Sequence, residues 1–304
     1  MLIKLEKTRD NILFKEGLDL ETNHSIYFQD AINIKKLKDK SVHLVVTSPP
    51  YWKIKDYGNE DQIGYNDSLV EYFERLNAIW KECIRVLHPG CKLCINIGDQ
   101  FLRAIKNKRV YQIIPLHSML VNEILREFNG DQLKNKKEGV VFLGSINWNK
   151  VSTSNTSGGG HVMGSIYFPR NGYFFINREY IVVFRKLGKD PRPDPVLKEA
   201  SRISLEEWRE FFKDSWSFPG INQEIHDAMF PDELPRRLIR MYSFIGDTVL
   251  DPFLGSGTTT KVASELGRNS IGYEIGFNKN DWRDVIKKKI ESGQKNYLTH
   301  FNYF

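Results

Sequence analysis

The stretch that decides the fold is TVLDPFLGSGTTTKVASELGRNSIGYEI, residues 248–275. It opens with a short apolar run, which predicts a strand, and continues into a tight turn that holds two glycines. TTTKVASEL then predicts a helix that ends at Gly267, and SIGYEI predicts a second strand. This order of strand, turn, helix and strand is typical of a parallel α/β sheet whose ligand lies beside the glycine turn.

The glycine turn limits the kind of ligand. Gly255 and Gly257 allow close approach to the backbone, and the first helical turn offers unpaired N–H groups. A P-loop needs Gly-Lys-Ser/Thr at the helix start, but Lys261 follows three threonines, and a dinucleotide site needs glycine at position 260, which is Thr260. An adenosyl group without phosphates needs only the close approach and a ribose acceptor, which Glu274 supplies. A turn without a ligand is the alternative that these residues leave open.

A second stretch, VVTSPPYW at residues 45–52, ends another predicted strand in an unusual way. Two prolines fix φ twice, remove two backbone donors and favour extended geometry in the preceding residues, so residues 47–51 should form a stiff loop with free carbonyls. The residues before it, SIYFQDAINIKKLKDKSVHLVV, predict strand, short helix, strand. An ordinary surface turn is the simpler interpretation of the proline pair taken alone.

The rest of the chain alternates predicted strands and helices. SLVEYFERLNAIWKECIRVL predicts a helix capped by Ser68 and ended at Pro89-Gly90, and strands follow at KLCINIGD, VVFLGSINW and REYIVVFRK, with a helix at IIPLHSMLVNEILREF. We therefore expect an α/β fold with a mostly parallel sheet and helices on both faces. A polar loop at 149–165 and a proline-punctuated stretch at 187–222 break this alternation, and we expect the latter to be a small module on the sheet.

The net charge of the chain suits a polyanionic binding partner. The 304 residues are 40% hydrophobic and carry a net charge of +6, with a pI near 9.0. Basic residues cluster at 101–109, 133–137, 184–193 and 235–240, although for any single cluster a solvated face is the preferred interpretation. No apolar run approaches the roughly 20 residues that span a bilayer, and the N-terminal residues lack a signal-peptide pattern, so we expect a cytoplasmic protein.

Cysteine usage gives no sign of a disulfide framework or a metal site. The chain has three cysteines, and two of them form a C-x-x-C at Cys91 and Cys94. Both lie in a predicted strand, with no second Cys or His pair to complete a zinc set, so we interpret them as small buried side chains and expect no metal.

The two motifs together resemble the DNA amino-methyltransferases, which methylate an exocyclic amine of cytosine or adenine with S-adenosylmethionine. TSPPY is similar to the family's catalytic motif, DPFLGSGTT to its cofactor loop and YEI to its ribose-binding strand end. HDAMFPDELPRRLI, at 226–239, resembles an additional cofactor-side segment, and Asp30 stands where the family places an acidic residue near adenine. The resemblance implies a Rossmann-like methyltransferase fold and cofactor contacts at Asp30, Thr47, Phe230, Pro231, Leu234, Asp251, Pro252, Phe253, Gly255, Ser256, Gly257, Thr258 and Glu274.

The order of the motifs resembles that of the permuted beta group, with the catalytic motif first and the cofactor loop last. Protein-glutamine and RNA-guanine methyltransferases use a related N-P-P-Y with the cofactor loop usually first, so both the order and Ser48 argue against them. In the family, Ser-Pro-Pro-Tyr goes mainly with cytosine-N4 transfer, and adenine-N6 transfer is the alternative. A catalytically idle DNA-binding protein would not need both motifs intact. The implied catalytic residues are Ser48, Pro49, Pro50 and Tyr51.

The resemblance also implies a division of the chain and a set of partners. Residues 1–150 and 223–304 form the catalytic and cofactor-binding halves of one domain. Residues 151–222, including a returning strand near 178–186, form the target-recognition region. The expected partners are double-stranded DNA, contacted at Arg185, Lys186 and His161, and a restriction endonuclease acting on the same site. The sequence is compatible with a monomer or a dimer.

Overall fold

A computed structural model describes residues 20–304 apart from 103, 107, 109, 130–138, 152–169, 171–176, 221–229, 277–281 and 294–296. The strands are β1 (Glu21–Tyr27), β2 (Val42–Thr47), β3 (Leu87–Ile97), β4 (Gln100–Leu102), β5 (Gln112–Ile114), β6 (Val140–Val151), β7 (Arg178–Lys186), β8 (Ser215–Pro219), β9 (Thr248–Asp251), β10 (Asn269–Tyr273) and β11 (Leu298–Tyr303). The helices are α1 (Leu69–Val86), α2 (Leu116–Asn129), α3 (Pro195–Ala200), α4 (Leu205–Phe211), α5 (Glu233–Tyr242), α6 (Thr258–Glu265) and α7 (Trp282–Glu291), with a short 3₁₀ helix at Ala31–Lys36.

The described strands form one large sheet and one small hairpin. The large sheet has the order β11-β1-β10-β9-β2-β3-β7-β6-β8, and β4 pairs with β5. From β11 to β3 every neighbouring pair is parallel, β7 is antiparallel to both β3 and β6, and β8 is again parallel to β6. The carboxyl ends of these parallel strands and the amino end of β7 therefore share one edge of the sheet.

Helices cover both faces of the sheet, as the sequence predicts. On β2, Val45 packs in the core formed with α1 and α2, while Leu44 and Val46 pack in the core formed with α5 and α6. The same alternation occurs on β7, where Val182 and Ile181 face opposite cores. Strands buried on both sides read as continuous apolar runs, which is why VHLVV and YIVVF stood out in the sequence.

Helix α1 begins where the sequence predicts and ends earlier. Ser68 accepts a hydrogen bond from the backbone N–H of Glu71, whose carboxylate accepts from the Ser68 N–H, so a complete capping box starts the helix. The helix ends at Val86, and β3 starts directly at Leu87 and runs through the predicted breaker Pro89-Gly90. Gly90 has a φ of +80°, so it accommodates a bend inside the strand and does not end the helix.

The described part of 151–222 is largely built into the main sheet. β7 and β8 are strands of that sheet, and β6 continues to Val151, across the predicted boundary at 150. Helix α4 packs against α5 through a carboxylate–guanidinium pair between Glu207 and Arg240. Within the stretch 187–222, which the sequence predicts to be a small module on the sheet, β8 is itself a strand of the main sheet, and its Trp216 and Phe218 are buried in the core under α5.

Strand β11 was not predicted. It pairs in parallel with β1 over six residues, and its exposed and half-buried residues alternate. In the described part of the chain no helix combines the length and apolar character needed to cross a membrane.

Candidate active site

The chemically important residues of both motifs meet at one edge of the sheet. Ser48 follows the carboxyl end of β2, the glycine turn follows β9 and Glu274 follows β10. Because β2 pairs directly with β9, the two motifs are neighbours although they lie about 200 residues apart in sequence. This edge is where open parallel sheets bind their ligands.

A buried hydrogen-bond network fastens the two motifs together. The Thr47 hydroxyl donates to Asp251 Oδ1 at 2.6 Å, and the Thr259 hydroxyl donates to Asp251 Oδ2 at 2.7 Å. The Phe253 N–H adds a third donor to this carboxyl group at 3.1 Å. Burial raises the pKa of Asp251 to about 6, and the three donors partly oppose that rise. Asp251 thus fixes the end of β2 to the start of α6.

A cavity of about 540 Å³ opens between the two motifs. Its volume is in the range of sites for small organic ligands. Residues of both predicted motifs line it, together with the predicted adenine-side residue and one residue of the 226–239 segment. They are Asp30, Ser48, Pro49, Pro50, Tyr51, Phe230, Pro252, Phe253, Gly255, Ser256, Thr258 and Glu274.

Glu274 is a buried carboxyl group at the cofactor side of this cavity. Its two oxygens accept hydrogen bonds from the N–H groups of Gly255, at 2.8 Å, and Gly276, at 3.1 Å. Burial raises its pKa to about 7, and these backbone donors partly oppose the rise. A carboxylate has about four acceptor positions, so Glu274 keeps capacity for further donors such as ribose hydroxyls.

Hydrogen bonds from neighbouring residues hold the Ser-Pro-Pro-Tyr loop in place. The Tyr72 hydroxyl of α1 donates to the Pro50 carbonyl at 3.0 Å, and the Ile54 N–H donates to the Tyr51 carbonyl. Within the described residues the Pro49 carbonyl accepts no hydrogen bond, so it is available to a ligand. The Tyr51 hydroxyl accepts from Asn96 Nδ2 at 3.1 Å. Burial, reinforced by the nearby Glu179 carboxylate, raises the pKa of Tyr51 well above its ordinary value, so it is a neutral phenol.

Five of the predicted cofactor residues do not line the cavity. Thr47 and Asp251 form the network described above, and Leu234 is fully buried on the inner face of α5, so it does not line the cavity. Gly257, with a φ of +91°, faces α7, where an added Cβ would come within 2.6 Å of Ile290. Pro231 accepts a backbone hydrogen bond from Leu234 and helps to start α5.

The two residues of β7 that are predicted to contact DNA lie away from the cavity. Lys186 Nζ donates to the carbonyls of Ile84 and Leu87, at 2.6 and 2.8 Å, and therefore satisfies the end of α1. Arg185 and Lys186 lie six and seven residues from Glu179 at the amino end of β7, which is about 20–24 Å away from the active edge. His161 falls outside the described residues.

The basic cluster 235–240 is also accounted for by internal pairs. Arg236 pairs with Glu265 on α6, while Arg237 pairs with Glu210 and Arg240 with Glu207, both on α4. These arginines join α5 to its neighbours, so internal ion pairs account for their clustering in the sequence.

Sequence reasoning missed one side of the cavity. Asn96 is the last residue but one of β3, Glu179 is the second residue of β7 and Lys150 lies near the end of β6, and all three line the cavity beside Tyr51. Asn96 Nδ2 donates to Glu179 Oε2 at 2.7 Å, and Lys150 pairs with Glu179 Oε1. The available signal was a polar residue near the active end of each of the three strands that follow β2 across the sheet. Other lining residues that were not predicted are Ala31, Ile54, Lys55, Tyr57, Asp61, Gln62, Ile63, Leu254, Tyr273, Ile275 and Gly276.

The donors and acceptors of the cofactor half fit S-adenosylmethionine better than a phosphate-bearing ligand. The wall combines the carboxylates of Asp30 and Glu274 with the apolar side chains of Phe230, Phe253 and Ile275. Lys261 of α6 pairs with Asp232, so its charge is already matched within the chain and does not mark a phosphate site. Among the described residues no group of His, Cys, Asp and Glu is arranged to hold a metal ion.

Solved structures with the same architecture define the class of protein. The Thermus thermophilus protein TTHA0409, solved in complex with S-adenosyl-L-methionine, aligns with a TM-score of 0.71 and 29% identity over 92% of this chain and 98% of that chain. The PvuII DNA methyltransferase, described as cytosine-N4-specific, shares the fold with a TM-score of 0.57 and 18% identity over 93% of this chain and 96% of its own. The fold and cavity are those of a methyltransferase that uses S-adenosylmethionine.

Sequence comparison then gives the family. The DNA methylase family of the N6/N4 type matches residues 42–279, and the chain belongs to it. The Type II methyltransferase M.MjaI of Methanocaldococcus jannaschii is 38% identical over 94% of this chain and 97% of that protein. M.MthZI of Methanothermobacter thermautotrophicus is 37% identical over 91% of this chain and 79% of its own length.

Proposed function

We propose that the protein is a site-specific Type II DNA methyltransferase that methylates the exocyclic N4 amine of cytosine in double-stranded DNA. The observation that carries this proposal is the position of the Ser-Pro-Pro-Tyr loop, which lies directly beside the glycine turn and shares one cavity with Glu274. The relatives M.MjaI and M.MthZI are named Type II methyltransferases, which supports a role in restriction and modification with an endonuclease of the same specificity.

Ser48 and Pro49 carry the chemistry of this proposal. The cytosine amine is a poor nucleophile because its lone pair is delocalised into the ring. Acceptors for both of its hydrogens favour the pyramidal, reactive form, and the Ser48 hydroxyl and the Pro49 carbonyl supply them. The Pro49 carbonyl accepts no hydrogen bond within the described residues. The proline pair restricts the backbone on both sides of it, and the Tyr72 hydroxyl anchors the next carbonyl, that of Pro50.

Tyr51 holds the target base by stacking. A base inside the duplex is out of reach, so the enzyme must take it out of the stack and hold it in the cavity. The Tyr51 ring lies next to the Ser48 acceptor and offers a surface for stacking. S-adenosylmethionine supplies the methyl group when bound, and Glu274, the glycine turn and Asp30 would hold it. Catalysis then depends mainly on how the chain positions the amine.

The choice of cytosine rests on Ser48, and adenine-N6 methylation is the second candidate, since the family includes both. The test is to incubate DNA with radiolabelled S-adenosylmethionine, digest it to nucleosides and identify the labelled product. We expect N4-methylcytosine. N6-methyladenine would replace the first candidate with the second, and no labelled nucleoside from a range of DNA substrates, with cofactor binding intact, would overturn the enzymatic assignment.

A further inference from the structure

A polar wall of three side chains closes the cavity on the side away from the cofactor half. We call Asn96, Glu179 and Lys150 together the base wall. These residues come from β3, β7 and β6, which follow β2 in order across the sheet. Asn96 connects the wall to the catalytic loop, because its Nδ2 donates both to the Tyr51 hydroxyl and to Glu179.

The orientation of the Asn96 amide follows from its partners. Glu179 is an acceptor in its ionised form, so the Asn96 NH₂ group must face it, and the amide oxygen points elsewhere. Asn96 is only 3% exposed, and its Oδ1 is buried without a donor among the described residues. A buried acceptor without a donor is uncommon in native proteins, so the position of Asn96 is set by the two hydrogen bonds of its Nδ2, which reach Tyr51 and Glu179.

Lys150 brings donors to the same wall. Its ammonium group pairs with Glu179 and lies 5.0 Å from the centre of the Trp148 ring. An ammonium carries three hydrogens and the Glu179 pair uses one, so Lys150 has hydrogens left for a ligand. The side chain is 26% exposed, while Glu179 is 15% exposed. The pair is therefore open to the cavity and not sealed inside the sheet.

We propose that Lys150 donates a hydrogen bond to the ring acceptors of the extruded target base, and that Glu179 and Asn96 position it for this contact. The proposal rests on the proposed function, because it takes the target amine to be at Ser48 and Pro49. A base held there and stacked at Tyr51 turns one edge toward the strands beyond β2. The side with the base wall is polar, so it matches the ring-nitrogen edge of the base and not the C5–C6 edge.

The chemistry of the wall suits a pyrimidine acceptor edge. In cytosine the N3 and O2 acceptors follow the amine along one edge, so a flexible ammonium can reach either or both. In adenine only N1 takes the corresponding place, followed by a C–H group. Lys150 therefore contributes to the choice of base as well as to its retention. Glu179 and Asn96 act through Lys150 and are positioning residues.

The test compares Lys150→Met with the control Lys198→Met, which removes an exposed lysine of α3 outside the cavity. We expect Lys150→Met to lower kcat/KM for DNA roughly tenfold to a hundredfold, and the control to leave it nearly unchanged. Cofactor affinity, measured by calorimetry, should be the same in both variants, because Lys150 is on the other side of the cavity. No change in kcat/KM for Lys150→Met would overturn the proposal.

Base analogues separate a contact to the base from a general effect on the sheet. The target cytosine is replaced by 3-deazacytosine, which lacks N3, or by an aminopyridine analogue that lacks O2. The quantity of interest is the ratio of wild-type to Lys150→Met rates on each template, because altered amine reactivity cancels in it. We expect the ratio to fall toward one on at least one analogue. An equal ratio on all three templates would mean that Lys150 does not touch the base edge.

A purely structural role for the pair makes a different prediction. Each single change, Lys150→Met or Glu179→Gln, leaves one partner of a partly buried pair alone, and the double variant removes both charges. If the pair only joins β6 to β7, the double variant should recover both stability and activity. If Lys150 contacts the base, the double variant recovers stability but not kcat/KM. If the single variant fails to fold, the rates on the base analogues are measured with the double variant instead.

The contact of Lys150 can be tested whichever base is methylated. If the wild-type product is N6-methyladenine, the cytosine assignment fails, and the contact is tested with 1-deazaadenine, which lacks the ring nitrogen beside the amine. A wild-type enzyme that methylates cytosine with a Lys150-independent rate leaves the proposed function intact and removes this inference alone.

Discussion

Ser48 is the residue on which the proposed chemistry depends most. If its hydroxyl accepts one hydrogen of the amine, Ser48→Ala should keep cofactor and DNA binding and lose turnover by roughly a hundredfold to a thousandfold, about 2.7–4 kcal/mol. Single-turnover kinetics at saturating DNA measure this loss directly. Thermal unfolding and calorimetry with S-adenosylmethionine are the controls. Turnover near that of the wild type would remove Ser48 from the mechanism.

Glu274 should make cofactor binding depend on pH. The ribose hydroxyls need an ionised carboxylate, and burial raises the pKa of Glu274 to about 7. The affinity for S-adenosylmethionine should therefore rise as the pH increases from about 6 to about 8, and level off above that. Glu274→Gln should bind more weakly and lose most of this pH dependence in calorimetry. An unchanged pH profile in the variant would show that another group titrates.

At the scale of single elements, Lys186 is expected to act on α1 and not on DNA. Its ammonium group satisfies carbonyls at the end of the helix, where the dipole also favours a positive charge. Lys186→Met should lower the free energy of unfolding by about 1–3 kcal/mol, as urea unfolding would show. The salt dependence of DNA binding should keep its slope. A flatter slope, with stability unchanged, would restore the original assignment of Lys186 to phosphate.

Elements with a strong local pattern were predictable, and weak ones were not. The strands that hold VVTSPPY and TVLDPFLG, and the helix with the Ser68 cap, follow from apolar periodicity and breakers. β8 was missed because SWSFP is only five residues long and follows a charged helix. β11 was missed because LTHFNY does not alternate regularly between polar and apolar residues and lies half-exposed at the edge of the sheet. Neither segment is long and regular enough to be distinguished from a loop.

The candidate site was predictable only where one continuous motif supplies it. Ser48 to Tyr51 and the glycine turn are contiguous, so the sequence shows them. The base wall takes one residue from each of three strands, and its members meet only because β7 inserts between β3 and β6. Strand order is a tertiary property, so Lys150 and Glu179 look like ordinary charged residues in the sequence. Lys186 misled for the same reason, because its carbonyl partners lie about 100 residues away.

On the scale of the whole molecule, His24 links three strands at one end of the sheet. Its ring nitrogens bond to Ser270 on β10, at 2.8 Å, and to Thr22 on β1, and its ring lies 5.0 Å from Phe301 on β11. Burial lowers the pKa of His24 from 6.5 to about 3. Between about pH 3 and pH 6.5 the His24 ring is neutral in the folded state but protonated in the unfolded state. The folded state therefore binds fewer protons, and the stability that His24 contributes is lost as the pH falls below about 6.5.

We therefore expect the free energy of unfolding to decrease less steeply from about pH 6.5 to about pH 4 in His24→Gln than in the wild type. Asp251 and Glu274 have raised pKa values and act in the opposite direction, but they do so equally in both proteins, so the difference isolates His24. Urea unfolding across this pH range gives the two slopes. Parallel slopes would mean that His24 is protonated in the folded state.

The pairing of β2 with β9 affects the timing of synthesis. Thr47 leaves the ribosome 204 residues before its partner Asp251. At roughly 5–20 residues per second, this delay is on the order of 10–40 s. A nascent chain that ends at residue 240 already contains the Ser-Pro-Pro-Tyr loop and the base wall, yet it has neither the glycine turn nor Glu274. We therefore expect such a chain to be inactive, and methylation to begin only after β9 and β10 have joined the sheet between β1 and β2.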